Sequence, residues 1–305
     1  MKINRLFSTG ENVSAVALGS WVLGGENWGG ADDKESLAVV GEALAQGINF
    51  IDTAPFYGDG HAERVIGQAI HRQRDSAFIA TKCGVLRENG RIFKTLAPAS
   101  VMKEADESRS RLGMDVIDLY QCHWPDEKTP VEKTMEALLA LRSRGRIRHI
   151  GVCNFSLPLL KVACAVAPVS TLQVPYSLLD RAVEAELLPF CVANKIGVIA
   201  YGSLGGGILS GKYVTAPHFD KRDARSMFYR FYTGDKFVSV KKGVEALRAL
   251  GHPLEQVALN WVRQQPGVMT VLAGCRTGAQ VRANAAAAEW DLSTDEIDSI
   301  SRIVF

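Results

Sequence analysis

Eight short apolar runs, each separated from the next by a stretch of helical period, limit most strongly how this chain folds. The runs cover Val16–Gly19, 49–53, 77–82, 116–122, 147–152, 171–174, 197–201 and 268–272. Between the first two, Leu37, Val40, Ala43 and Leu44 keep the spacing of one helix face, and Gln46-Gly47 supplies the stop. Helical patterns recur at 62–71, 99–112, 130–144, 156–165, 183–194, 238–250, 253–265 and 278–288, with a last amphipathic stretch at 294–303. Eight strand–helix repeats within 305 residues are what a closed (β/α)8 barrel of the α/β class requires. A doubly wound sheet is the alternative. It wants Gly-x-Gly-x-x-Gly after the first strand, and Gly19-Ser20-Trp21-Val22-Leu23-Gly24 lacks that spacing. The reading is therefore one TIM barrel domain over residues 1–305, with an N-terminal β-hairpin turning at Ser8-Thr9-Gly10-Glu11-Asn12 and an extra C-terminal helix.

Composition narrows the partners. A net charge of +2 is too small to imply nucleic acid or an anionic membrane surface, and no apolar run reaches the length of a bilayer span. Met1-Lys2-Ile3-Asn4-Arg5 turns polar too early for a secretory signal. The six cysteines form no Cys-x-x-Cys pair, which points to reduced thiols in the cytoplasm and not to a metal or disulfide framework.

The stretch Asn49-Phe50-Ile51-Asp52-Thr53-Ala54-Pro55-Phe56-Tyr57-Gly58 ends a buried strand with a carboxylate and places a phenol in the loop behind it. Lys82 ends the next strand and His123 follows the one after. In a barrel, strand C-termini share one face, and neighbouring strands lie about 5 Å apart, so these four groups converge. A phenol exchanges protons poorly at neutral pH unless its phenolate is stabilised. A lysine does that, and a buried lysine needs a carboxylate. Hence Asp52 is expected to hold Lys82, Lys82 to tune Tyr57, Tyr57 to pass a proton to a carbonyl oxygen, and His123 to orient that oxygen. Singly, each is better explained as a cap or packing residue. Their occurrence in three consecutive repeats favours a site.

Asp-Thr-Ala-x-x-Tyr-Gly at 52–58, Ala-Thr-Lys at 80–82 and Asp-Leu-Tyr-Gln-x-His-Trp-Pro-Asp at 118–126 resemble the signature motifs of the aldo-keto reductases, in particular the bacterial branch of general-stress and sugar-aldehyde reductases. That resemblance implies reduction of an aldehyde or ketone, a sugar-like or small aldehyde, to the alcohol, with NADPH as hydride source and NADH as the lesser alternative. It makes Tyr57 the general acid, Asp52 and Lys82 its tuners and His123 the carbonyl orienter. Gly151-Val152-Cys153-Asn154-Phe155 is similar to the family's carboxamide-binding motif, with Cys153 in place of a serine; Gln173, Ser20, Trp21 and Asp52 complete that end of the cofactor site. Tyr201 stands where an aromatic ring stacks on the nicotinamide. Gly202, Ser203, Leu204, Gly207 and Lys212 fall where the pyrophosphate is held, with Gly206 in place of a frequent arginine. Gly274, Arg276, Gln280 and Asn284 match the adenosine-phosphate clamp, with Ala283 in place of a usual glutamate.

Trp21, Trp28, Phe56 and Trp124, with Tyr57, His123 and an excursion at 84–97, are expected to wall the substrate pocket; the alternative is that the aromatics merely cap the barrel. The stretch Phe228-Tyr229-Arg230-Phe231-Tyr232 is read as a cover for the site, a solvated loop or a contact between copies in a homo-oligomer. Three rival functions stay open: the same site run as a sugar or alcohol dehydrogenase, a Schiff-base aldolase using Lys82, and a non-catalytic NADPH sensor.

Overall fold

The computed structural model describes residues 1–6 and 9–305. Eight parallel strands close into a barrel: β1 (Val16–Gly19), β2 (Phe50–Asp52), β3 (Phe78–Cys83), β4 (Ile117–Cys122), β5 (Ile147–Cys153), β6 (Val169–Pro175), β7 (Gly197–Tyr201) and β8 (Val268–Gly274). They follow one another around the ring in chain order, and β8 closes onto β1 through Val271 opposite Val16 and Gly274 opposite Gly19. The helices α1 (Asp33–Ala45), α2 (His61–Ile70), α3 (Pro98–Leu112), α4 (Val131–Ser143), α5 (Leu157–Val166) and α6 (Leu187–Ala193) return the chain between successive strands. Between β7 and β8 lie α7 (Ala224–Phe228), α8 (Gly234–Arg248) and α9 (Leu254–Arg263); α10 (Gly278–Ala286) and α11 (Thr294–Ser301) end the chain. The expected barrel is borne out.

Strand periodicity divides the core in two. Ile51, Ile79, Tyr120 and Cys122 pack outward against the helices, whereas Phe50, Phe78, Ala80 and Leu119 fill the barrel interior. Successive side chains alternate faces. Asp52, Lys82 and Gln121, each two residues beyond an interior residue, therefore point into the barrel at its C-terminal end. Thr81 takes the outward phase and donates to Glu63 of α2 at 2.6 Å. The Phe50 and Phe78 rings stack at 5.3 Å, closing the interior beneath the polar layer.

The bottom is sealed by the N-terminal hairpin, Ile3–Arg5 antiparallel to Asn12–Ser14. Leu6 and Val13 insert into the interior cluster, and Asn4 donates to the Met269 carbonyl at 2.7 Å. Ser8 of the expected turn lies outside the described residues.

Two stretches differ from the expectation. The expected helix at 183–194 is a 3-10 turn at Ala182–Glu184 followed by α6, because Pro189 has no N–H to donate and fits only a first turn. Helix α8 starts at Gly234 instead of 238, and α7 interrupts the long loop before it. Above β3 stands the expected excursion, a hairpin of Val85–Glu88 and Arg91–Lys94. Its turn carries Asn89 and Gly90, both left-handed at φ 49° and 76°, as a two-residue turn of this twist demands.

Candidate active site

Lys82 is fully buried, and its ammonium donates to Asp52 Oδ2 at 2.6 Å, to the Thr53 carbonyl at 2.9 Å and to Tyr57 Oη at 3.2 Å. Register explains the meeting: Asp52 lies opposite Ala80, so Lys82 reaches across from two residues further along the adjacent strand. Tyr57 is delivered by the β2 exit loop, which is fastened to the β1 exit loop at Gly24 and Gly58. A Cβ on Gly58 would lie 2.3 Å from the Gly24 carbonyl oxygen, and φ there is +63°. Only glycine permits that approach.

Electrostatics assign protons. Burial raises the Tyr57 phenol, Lys82 partly opposes it, and the outcome is a pKa of about 12. The expected tuning by Lys82 is present in sign, but burial outweighs it: Tyr57 keeps its proton at neutral pH. Burial alone would discharge Lys82; Asp52, and then Tyr57, outweigh it and hold the ammonium charged. Burial, with the positive charges of Lys82 and Lys94, keeps His123 well below the usual histidine range, so its imidazole is neutral. His123 stands edge-on to Tyr57 with ring centroids 5.9 Å apart.

The second oxygen of Asp52 accepts from Gln173 Nε2 at 2.8 Å and, longer, from Gln121 Nε2 at 3.4 Å. Gln173 thus spends its amide N–H on Asp52, a partner that the sequence reading did not give it. Gln121, within the Asp-Leu-Tyr-Gln stretch of β4, has a buried Oε1 with no hydrogen-bond partner. A Cβ on Gly151 would sit 2.9 Å from Gln121 Cγ, so the glycine makes room for this amide.

The remaining cofactor candidates ring the same end. Asn154, left-handed at φ 60°, donates to the His123 carbonyl at 3.0 Å and accepts from Tyr201 Oη at 2.9 Å. Ser20 Oγ is buried and unpartnered. After β7, Gly202, Gly205, Gly206 and Gly207 are all left-handed, which bares backbone N–H groups, and Leu204 caps the turn. A Cβ on Gly207 would lie 3.0 Å from Lys212 Nζ, so that ammonium sits beside the glycine backbone. Ser203 is turned inward and donates to the Tyr176 carbonyl at 3.1 Å. After β8, which Gly274 ends, Thr277 caps α10 and Gln280 Oε1 accepts from the Arg276 N–H at 2.7 Å. Asn284 is buried and donates to Cys275 Sγ at 3.2 Å. An orphaned hydroxyl beside the β1 end, a glycine cradle and a capped helix N-terminus beside an arginine suit a nicotinamide, a pyrophosphate and an adenosine phosphate in turn.

The aromatics at the barrel mouth pack in two groups. Trp21 stacks on Tyr57 at 5.9 Å and meets Trp28 edge-on at 5.4 Å. Phe56 lies 6.5 Å from His123, and Lys94 Nζ sits 4.4 Å over the Trp124 ring. Helix α7 adds Phe228, edge-on to Trp21 at 5.5 Å, and is tied by the Ala224 N–H to the Asn27 carbonyl at 2.8 Å.

A profile of the Aldo/keto reductase family matches residues 15–304. The chain belongs to this family. An aldo-keto reductase of Bacillus subtilis (strain 168) is 37% identical, covering 100% of this chain and 94% of the relative. The NADH-specific methylglyoxal reductase of Escherichia coli (strain K12) is 33% identical over 96% of this chain and 95% of its own. Among solved structures, the glycerol dehydrogenase of Gluconobacter oxydans superposes with a TM-score of 0.91 at 35% identity, covering 99% of this chain and 94% of that one. An aldo/keto reductase of Klebsiella pneumoniae, solved with NADP and acetate, gives a TM-score of 0.75 at 27% identity, with coverage of 99% and 95%. Membership makes this chain an oxidoreductase of carbonyl compounds that works with a nicotinamide cofactor. Among the described residues no helix is long and apolar enough to cross a membrane.

Proposed function

We propose that this chain is a single-domain, cytoplasmic NADPH-dependent reductase of small aldehydes, sugar-like ones included, in which Tyr57 is the proton donor. The observation that carries the reading is the buried relay in which Asp52 holds Lys82 at 2.6 Å and Lys82 reaches Tyr57 at 3.2 Å. When bound, the nicotinamide supplies the hydride that the carbonyl carbon takes up. Tyr57 gives its proton to the carbonyl oxygen. Lys82 stabilises the phenolate left behind, and Asp52, gripped by two amides, keeps Lys82 in place. Neutral His123 donates a hydrogen bond to the same oxygen.

Ser20, Trp21, Asn154, Gln173 and Tyr201 would hold the nicotinamide end; Gly202, Leu204, Gly207 and Lys212 the pyrophosphate, with Ser203 bracing that loop from within through the Tyr176 carbonyl; Gly274, Arg276, Gln280 and Asn284 the adenosine phosphate. A guanidinium beside a helix N-terminus favours the extra phosphate of NADPH, and the Klebsiella relative was solved with NADP. The Escherichia coli relative is named as NADH-specific, and initial rates with NADPH against NADH test the preference. The test follows NADPH absorbance with purified protein and a panel of aldehydes. Wild type should turn over, and Tyr57→Phe should lose about a thousandfold in kcat. Equal rates would overturn the role of Tyr57.

The oxidative direction is a second reading, favoured by the Gluconobacter relative's being a glycerol dehydrogenase. Initial rates in both directions decide between them.

A further inference from the structure

Cations at the barrel mouth differ in whether they are matched. Lys82 is matched by Asp52. Arg87, on the outgoing strand of the hairpin above β3, is pinned by Glu26 at 2.7 Å and Asp59 at 3.2 Å, and lies over the Phe56 ring at 5.4 Å. Carboxylates therefore gather on the Phe56 side of the pocket. Lys94, on the returning strand, pairs with buried Val85 at the foot of the hairpin. Among the described residues no carboxylate oxygen comes within 4.0 Å of its ammonium, which rests on Trp124. Asp126, on the facing loop, is taken up by the Leu96 and Lys128 N–H groups and the Thr129 hydroxyl. Trp124 directly follows His123, and the Lys94 charge is felt at the His123 imidazole.

We propose that Lys94 is an anion subsite, and that the preferred substrates are carbonyl compounds bearing a carboxylate or phosphate away from the reacting carbon. The inference rests on the reductase reading above. With its oxygen at Tyr57 and His123, a substrate has two sides on which to extend. The carboxylates around Arg87 repel an anion from the Phe56 side. Lys94, exposed at the mouth, attracts it along the face of Trp124.

The bland role for Lys94 is to cover Trp124 with its methylene stem. Lys94→Met keeps that stem and removes the charge. Two matched pairs serve as probes: para-carboxybenzaldehyde against para-tolualdehyde, and glyceraldehyde phosphate against glyceraldehyde. Lys94→Met should raise KM for the anionic member about fivefold with kcat unchanged, the upper size of one exposed ion pair. The neutral member should stay within about twofold, and Lys94→Arg should restore the preference. A gain confined to one pair identifies the anion as carboxylate or phosphate. An equal effect on both members, or none on either, overturns the subsite while leaving the reductase reading standing. If wild type reduces none of the four, both fall.

Discussion

Tyr57 carries its proton up to a pKa of about 12, because burial dominates and Lys82 compensates only in part. In the reductive direction this phenol is thus loaded across the neutral range, and His123, held well below its usual range, is uncharged there. The rate with saturating NADPH is expected to be flat from pH 7 to 9 and to fall only on the alkaline side, as the proton leaves Tyr57. Alcohol oxidation needs the phenolate and should instead climb with pH. A pH series in both directions checks the pair of slopes. Gln121 gives a sharper test. Gln121→Glu brings a second buried carboxylate against Asp52 Oδ1, where the present amide stands at 3.4 Å. Like charges so close cannot both ionise cheaply. The variant should show a new ionisation in its kcat profile near neutral pH, whereas Gln121→Leu should lower kcat by about tenfold without one. Neither amide grip on Asp52 was legible in the sequence. Gln121 and Gln173 are separated from Asp52 by 69 and 121 positions, and barrel closure alone sets them side by side.

Elements were far more legible than their contacts. Alternation of periods located all eight strands to within a few residues, because each buried run is bounded by polar turns. The Asn89-Gly90 turn disclosed a hairpin for the same reason. What could not be read was where the hairpin leans, since that depends on Arg87 finding Glu26 and Asp59 on two other loops. Likewise Ser203, grouped with the phosphate loop, turns inward to the Tyr176 carbonyl, a choice made by the fold around it. The junction of Gly24 with Gly58 supplies the prediction at this scale. Gly58→Ala meets a backbone oxygen at 2.3 Å in a left-handed conformation. It should cost about 1–3 kcal/mol of stability, read as a lower melting temperature, and should impair turnover by shifting Tyr57. Gly90→Ala, left-handed but open to solvent, should cost less and leave kcat unchanged.

The whole molecule has one working end. The hairpin of Ile3–Arg5 and Asn12–Ser14 drives Leu6 and Val13 into the opposite mouth, and stacked Phe50 and Phe78 fill the middle. Ligands that engage residues from β1, β5, β7 and β8 together should therefore stabilise the entire barrel. At a hundredfold excess over its Kd, NADPH should add about 2.7 kcal/mol, read as a melting-temperature rise of several degrees. NADH at the same concentration should give a smaller rise, and Arg276→Ala should bring the two together. The family and its eightfold architecture were thus plain from the chain, while the proton inventory required the fold.

Strand β3 has a consequence for how such an enzyme diversifies. It carries Lys82 one residue before its end at Cys83, and the chain runs on through Gly84 into the hairpin that holds Arg87 and Lys94. The proposed proton relay is thus mounted on rigid barrel backbone, and the proposed anion subsite on an appendage of the same strand. Exchange of that appendage between relatives is a graft with a fixed joint: it would import a new substrate preference while the acid, its lysine and its carboxylate stay in register.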